Sequence, residues 1–407
     1  MTSAFDAVII GAGPAGTAAA IGLARRGRAV AIIERSEFPR RKVCGEFTSA
    51  INVDLLDQLG IGTEFRAQAG PEVRRVALFA AGEAVEAPMP KGQGTAFGRA
   101  LGRDVLDGLL LDAARAAGAT VFQPWRATSI VSGVDTSTVQ IETAVEQLEL
   151  RAPVVIAAHG SWEPGKLSTN LAKLNRPHDF VGFKAHFLNG KLPPDLMPLI
   201  AFPGGYGGMV WTDHDRLSLS FCIRRDALAG SRLASPYSSA AEAAFSHILK
   251  FCPAVADALG GADLAGSWLA AGPIRPGIRA AYADDIFRVG NVAGESHPII
   301  AEGIAMALQS GWLVAGHLSQ FKLWDEQARS QAGEAYTHAW RRQYSTRIKL
   351  AAVISTLATS TFGARVMQRF IRQIPMSLSF GAWVSGKTKK MPDFVGRPAR
   401  PRRIARR

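Results

Sequence analysis

The chain has 407 residues, 47% of them hydrophobic, with a formal net charge of +13. That length suits two domains with large apolar cores. Three cysteines, Cys44, Cys222 and Cys252, are too few and too scattered for a disulfide framework or a zinc site, so no metal centre is expected. The cationic excess is local: Lys387 to Arg407 carry nine Lys or Arg against one acid, Asp393. High charge here describes a tail, and no nucleic-acid partner is expected. No charged start followed by a long apolar run opens the chain, and no uninterrupted apolar stretch of about 18 residues occurs in it. A cytoplasmic location is the expectation.

The first predicted elements are the most informative. Val8, Ile9 and Ile10 read as a buried strand. Gly11-Ala12-Gly13-Pro14-Ala15-Gly16 follows, a G-x-G-x-x-G pattern leading into a helix over Ala18 to Arg26. Arg28 to Ile33 form a second strand, ending at Glu34. In such a βαβ unit Gly11 allows the tight turn, Gly13 lets backbone approach a pyrophosphate, and Gly16 lets the helix pack close on the strand. The helix N-terminus offers free N–H groups to phosphate, and Glu34 can accept from ribose hydroxyls.

Arg35 to Phe47 is a polar loop, feeding a helix capped by Thr48 or Ser49. Within it Arg41 and Lys42 either neutralise phosphate or solvate the loop. Short strands follow over 72–97, then a helix opening at Arg103 in R-x-x-L-D-x-x-L. Val121-Phe122 returns to the sheet, 127–150 alternates as two or three strands, and Val154 to Ala158 is another buried strand before His159-Gly160. From about 178 to 275 the texture changes to aromatic-rich strands, interrupted by a helical pattern near 239–250. Ile286 to Asn291 returns to the first domain, a long helix runs from about Ala301 to Leu318, and 327–385 is helical.

Four separated segments carry a resemblance: the N-terminal glycine unit, Arg103 in its helix, Ala158-His159-Gly160, and Gly290-Asn291-Val292-Ala293-Gly294 with Pro298, Glu302, Gly303 and Ile304. Together they resemble the flavoprotein superfamily of the p-hydroxybenzoate hydroxylases and geranylgeranyl reductases, well over 1–165 and 270–320 and poorly between. The loop Pro39-x-x-x-x-Cys44-Gly45 resembles the reductase branch most. The resemblance implies an α/β protein: a glutathione-reductase-like FAD-binding Rossmann domain (1–165 and 276–325), an inserted antiparallel-sheet substrate domain (166–275), a C-terminal helical region (326–386) and the basic tail (387–407).

It also implies FAD as cofactor; with only one G-x-G-x-x-G unit in the chain, either NAD(P)H binds transiently as electron donor or electrons come from a partner. By the same resemblance the FAD site comprises Gly11, Gly13, Pro14, Ala15, Gly16, Glu34, Arg35, Lys42, Cys44, Arg103, Gly290, Asn291, Glu302, Gly303 and Ile304. Two positions depart from the family: Asn291 stands where an Asp is usual, and His159 where Ala-Asp-Gly is common. Gly303 either lets backbone approach the flavin or only caps its helix. Cys44 lies near the flavin or is a small packed residue. Both Cys44 and His297 are candidate catalytic groups; His297 either exchanges a proton or is a hydrogen-bonded loop residue. His186 reads as a core or surface histidine. Phe183, Phe187, Phe202, Tyr206, Met209, Trp211 and Phe221 either line an apolar substrate pocket or are plain core.

The implied activity is oxidation–reduction of an apolar, lipid-like small molecule, by C=C reduction or by monooxygenation with O2. Halogenation would carry a W-x-W-x-I-P motif, which is absent. A non-catalytic flavin-binding protein is the remaining class. The apolar stretch over Ile348 to Phe380 with the basic tail is either peripheral membrane contact or helices packed on the second domain. The oligomeric state is not legible.

Overall fold

The opening unit forms as its residues demand. In the computed structural model of the protein, which describes residues 2–80, 82–91, 97–161, 167–171 and 175–387, Ala7–Ile10 and Val30–Ile33 are parallel strands joined through the helix Pro14–Ala24. Pro14 stands in the first turn, where its missing N–H costs no bond. Both strands are buried at every residue, as all-apolar strands covered on both faces should be. They lie inside a six-stranded sheet ordered Tyr282–Ala283, Ile286–Arg288, Val154–Ala157, Ala7–Ile10, Val30–Ile33, Thr120–Phe122. The sheet is parallel except for its Tyr282–Ala283 edge. Ile9 sits in register between Ile156 and Ile32.

The Gly303–Leu318 helix packs across Pro14–Ala24. A Cβ on Gly311 would lie 2.1 Å from the Ala15 carbonyl oxygen, so the two helices meet backbone to backbone. Arg103–Ala116 covers the same side. A four-stranded sheet of Thr2–Ala4, Gln147–Ala152, Ser137–Glu142 and Arg126–Val131 adds Val139, Ile141 and Leu150 to the core cluster of Val8 and Ile10.

The aromatic-rich strands form a larger sheet, ordered Asp263–Ile274, Phe180–Leu188, Leu217–Arg224, Gly205–Trp211, Leu196–Phe202, Arg75–Ala80, Glu83–Pro88. Its pairs are antiparallel except Leu196–Phe202 with Arg75–Ala80, which is parallel. Two strands thus come from the 72–97 region, far from the rest in sequence, and the sheet is mixed. Side chains alternate across it. Phe183, Ala185 and Phe187 join the cluster under the helices Ala240–Phe251 and Pro253–Leu259, leaving Lys184 and His186 for the opposite face. Ser239 and Glu242 close a capping box at the first of these helices. Ser49 does occupy the N-cap of Ala50–Leu59, but its hydroxyl accepts from Asn52 Nδ2 at 2.7 Å instead of from backbone.

The chain closes with the helices Glu326–Thr359, Thr361–Gln373 and Met376–Ala382, the first two bent by 106°. Among the described residues no single helix is long and apolar enough to cross a membrane; that bent pair passes by length and composition only when taken together. The basic tail beyond Lys387 lies outside the described residues.

Candidate active site

A cavity of about 530 Å³ runs from the glycine turn, beneath the second sheet, to Met197, Tyr206 and Ile274. The glycines along it divide into two kinds. Gly11 has φ 109°, and its Cβ would stand 2.7 Å from the Ala158 oxygen; a Cβ on Gly16 would strike the Gly11 oxygen at 1.9 Å. These two serve the turn and the packing. A Cβ on Gly13 would meet only Arg103 Nη2 at 3.9 Å, and one on Gly303 would meet nothing within 4 Å. Their backbones face open cavity.

Glu34 closes one end. Its Oε2 accepts from Ala12 N at 3.0 Å and its Oε1 from Ser36 N at 2.9 Å. Arg103 forks onto Asp107 at 2.7 and 2.8 Å. Burial acts to lower the Arg103 pKa, but the Asp107 charge outweighs it and the guanidinium is held firmly cationic. Arg35, Arg40, Arg41 and Lys42 also line the cavity. Arg40 Nε and Nη1 and Arg41 Nε and Nη2 are buried with no hydrogen-bond partner. Lys42 is brought down to about 8 by burial and then by the Arg40 charge. Unpaired buried donors are costly, and an anion among them removes that cost. A dinucleotide therefore fits: an open glycine cradle, a helix N-terminus and guanidinium donors still short of partners line one cavity, with Arg40 Nη2 already on Glu34 and Asp107 and Arg41 Nη1 on the Ser267 carbonyl.

The structure brings most of the expected cofactor residues together. Gly11, Gly13, Pro14, Ala15, Glu34, Arg35, Lys42, Cys44, Arg103, Gly290, Asn291, Gly303 and Ile304 all border the cavity, as does His297. Gly16 and Glu302 do not: Gly16 packs beneath the turn, and Glu302 is buried as the N-cap residue of Gly303–Leu318. Asn291 is not alone at its position. Its Nδ2 donates to Ser161 Oγ at 3.0 Å and to Glu295 Oε1 at 3.2 Å, and Ser161 Oγ donates to Glu295 Oε2 at 3.0 Å. Glu295 keeps a carboxyl at the place where Asn291 lacks one; burial pushes its pKa up.

His159 Nδ1 donates to the Gly160 carbonyl at 3.1 Å and Nε2 accepts from Thr169 Oγ1 at 2.8 Å, a neutral ring brought to about 4 by burial. His297 is likewise brought to about 4 by burial. Its Nδ1 lies 3.2 Å from Tyr206 Oη, whose pKa burial pushes up, and Phe180 packs edge-on at 5.7 Å between ring centres.

Sequence reasoning missed the densest cluster. Glu46 lines the cavity with φ 62°, a left-handed conformation costing about 1–3 kcal/mol that its surroundings must hold. Its Oε1 accepts from Arg103 N at 3.1 Å and pairs with Lys184 Nζ; its Oε2 meets His186 Nε2 at 2.8 Å. All three side chains are buried. Burial alone would raise the Glu46 pKa, but the His186 hydrogen bond and then the Lys184 charge bring it to about 2. The Cys44–Glu46 loop is thereby tied to the start of the helix Arg103–Ala116 and to the strand Phe180–Leu188, with Glu46 N–H also donating to Cys44 Sγ at 3.4 Å. One signal was available: two ionisable residues two apart, on one face of an otherwise apolar strand. Of the aromatic-region candidates, Tyr206, Met209 and Phe221 border the cavity, whereas Phe183, Phe187, Phe202 and Trp211 do not. Those four belong to the cluster under the 240–259 helices.

A parallel nucleotide sheet, an open glycine cradle with cationic donors in the same cavity and an adjoining apolar chamber define an FAD-dependent oxidoreductase. Residues 4–173 match the FAD binding domain family. The chain is 24% identical over 393 residues to conditioned medium factor receptor 1 of Dictyostelium discoideum, covering 87% of this chain and 70% of that one. It is 27% identical over 336 residues to digeranylgeranylglycerophospholipid reductase 1 of Methanothermobacter thermautotrophicus, 77% of this chain and 76% of that one. A menaquinone reductase of Mycobacterium tuberculosis is 32% identical, but over 159 residues, 39% of this chain and 38% of that one. Among solved structures, a myxobacterial chondrochloren halogenase superposes with a TM-score of 0.75 at 20% identity, covering 93% of this chain and 91% of that one, a likeness of fold.

Proposed function

We propose that the protein reduces a C=C bond in an apolar, lipid-like small molecule, with FAD as the resident cofactor and NAD(P)H as its transient donor. The observation that carries this reading is the cavity itself. Its cationic end suits a dinucleotide, and its other end is walled by Met197, Leu199, Tyr206 and Ile274, with the buried His297–Tyr206 pair at the edge. On this reading the Rossmann part is glutathione-reductase-like and the large mixed sheet is its substrate domain. The likeness to the archaeal lipid reductase, over 77% of this chain, supports it.

Such a reduction places a hydride on one carbon and a proton on the other. FAD, bound and reduced, supplies the hydride. The proton is this chain's task. Held near a pKa of about 4 by burial, His297 is uncharged at neutral pH and carries one ring proton. With Tyr206 donating to Nδ1, that proton is on Nε2, the proposed source; as it leaves, Nδ1 takes the Tyr206 proton, so the ring stays neutral, and the phenolate, which burial disfavours, is reprotonated after turnover. Apolar walls keep water from competing. Glu46, Lys184 and His186 hold the Cys44 loop against this chamber.

The test is anaerobic. Pre-reduced holoenzyme is mixed with a panel of polyprenyl lipids and quinones, and products are weighed by mass spectrometry. A gain of two hydrogens without O2 is expected, and His297→Ala should slow it by about 10²-fold or more. Product that appears only with O2 and carries one added oxygen would replace this reading with a monooxygenase.

A further inference from the structure

Nine of the nineteen large apolar side chains exposed among the described residues fall between Val353 and Trp383. They form a stripe along the last helices. Phe362, Val366 and Phe370 recur every four residues on Thr361–Gln373, with Phe362 81% exposed. Val353 precedes them on the long helix, and Phe380 stacks on Trp383 at 5.8 Å beyond them. An amphipathic helix with its apolar face turned to solvent is not a core solution; a face of this kind marks an interaction site.

The opposite faces of these helices are already satisfied. Ala351, Ala358, Ile371 and Leu378 are buried in the cluster that also holds Tyr206 and Ile299, which line the apolar end of the cavity. The charge around the stripe has one sign. From Ala335 to Pro392 the sequence has ten Lys or Arg and no acid. Lys349, Arg365, Arg369 and Arg372 are exposed beside the stripe. Glu83, which the fold brings against this helix, is taken up by Arg372 at 3.2 Å and Gln368 at 2.7 Å.

We infer that this face docks on the surface of an anionic phospholipid bilayer. Phe362, Phe370 and Trp383 enter the headgroup–acyl boundary, and the flanking cations meet lipid phosphates. Apolar burial and electrostatic attraction act together at such a surface. The inference stands on the surface alone and does not depend on the reaction proposed above.

The test is co-sedimentation of the full-length holoenzyme with vesicles of phosphatidylcholine alone and of phosphatidylcholine with phosphatidylglycerol. Binding to the anionic vesicles is expected to exceed binding to the neutral ones by about tenfold at low salt and to weaken as salt rises. The triple variant Phe362→Ser, Phe370→Ser, Trp383→Ser should lose binding by about tenfold or more while keeping its flavin absorbance and melting temperature. Arg365→Gln with Arg369→Gln should remove part of the salt-sensitive fraction and leave the rest. Wild-type protein that stays in the supernatant with both vesicles would overturn the inference, as would a triple variant that sediments like wild type. A wild-type dimer by light scattering, split by the triple variant, would assign the face to a second copy instead.

Discussion

Cys44 shows how one side chain's setting fixes what it can report. It is half-buried on the cavity wall, whereas Cys222 and Cys252 are buried. Burial also pushes both of their thiols up, Cys252 to about 12. Native protein should therefore present one thiol to Ellman's reagent and three after denaturation. Added FAD should slow the native reaction several-fold, and Cys44→Ser should abolish it. A native reaction indifferent to FAD would remove Cys44 from the cofactor's neighbourhood. That Glu34 would border the glycine turn was legible because a carboxylate after the second strand is a local sequence signal. Glu46 was not, because its partner His186 is 140 residues away. Nothing local shows that a loop carboxylate will be buried.

At the scale of elements, the contact between Pro14–Ala24 and Gly303–Leu318 holds the two helix N-termini at one end of the cavity. Its closeness rests on Gly311, whose Cβ has no room against the Ala15 oxygen. Gly311→Val should force the helices apart, lowering stability by about 1–3 kcal/mol in urea unfolding and weakening FAD retention with it. Full stability with normal flavin content would show that the crossing relaxes freely. Both helices were readable from their spacing; that they touch was not, since neither carries the other's position in its own periodicity. The same limit applies to the large sheet. Its aromatic strands were recognisable, but the parallel pairing of Leu196–Phe202 with Arg75–Ala80 joins stretches more than a hundred residues apart.

For the whole molecule, pH reads out the buried histidines. His159 and His297 both stand near 4 in the fold, through burial, against an ordinary value near 6.5. Below about 6.5 the unfolded chain takes up protons that the folded one refuses. Stability is therefore complete above that pH and is lost as pH falls toward 4. Glu295, raised by burial, pulls the other way, and Glu46, held at about 2, keeps its contribution until lower pH. Thermal melts from pH 7.5 to 4.5 should show a fall of the order of 2 kcal/mol from each ring, and His159→Gln should flatten it. An unchanged slope in that variant would mean that His159 titrates normally.

The sequence by itself determined the nucleotide-binding unit, the Arg103 helix, the Gly290-Asn291 turn and the apolar, basic end of the chain. Each is written in residues a turn or a strand apart, where backbone sterics and periodicity act directly. Tertiary structure alone decided the rest. It buried Glu46 with Lys184 and His186, left donors of Arg40 and Arg41 without partners on the cavity wall, set Glu295 beside Asn291, and turned Tyr206 but not Phe183 toward the cavity. These are consequences of which strands pair and which faces meet. That choice is made by burial over the whole chain, and no local pattern contains it.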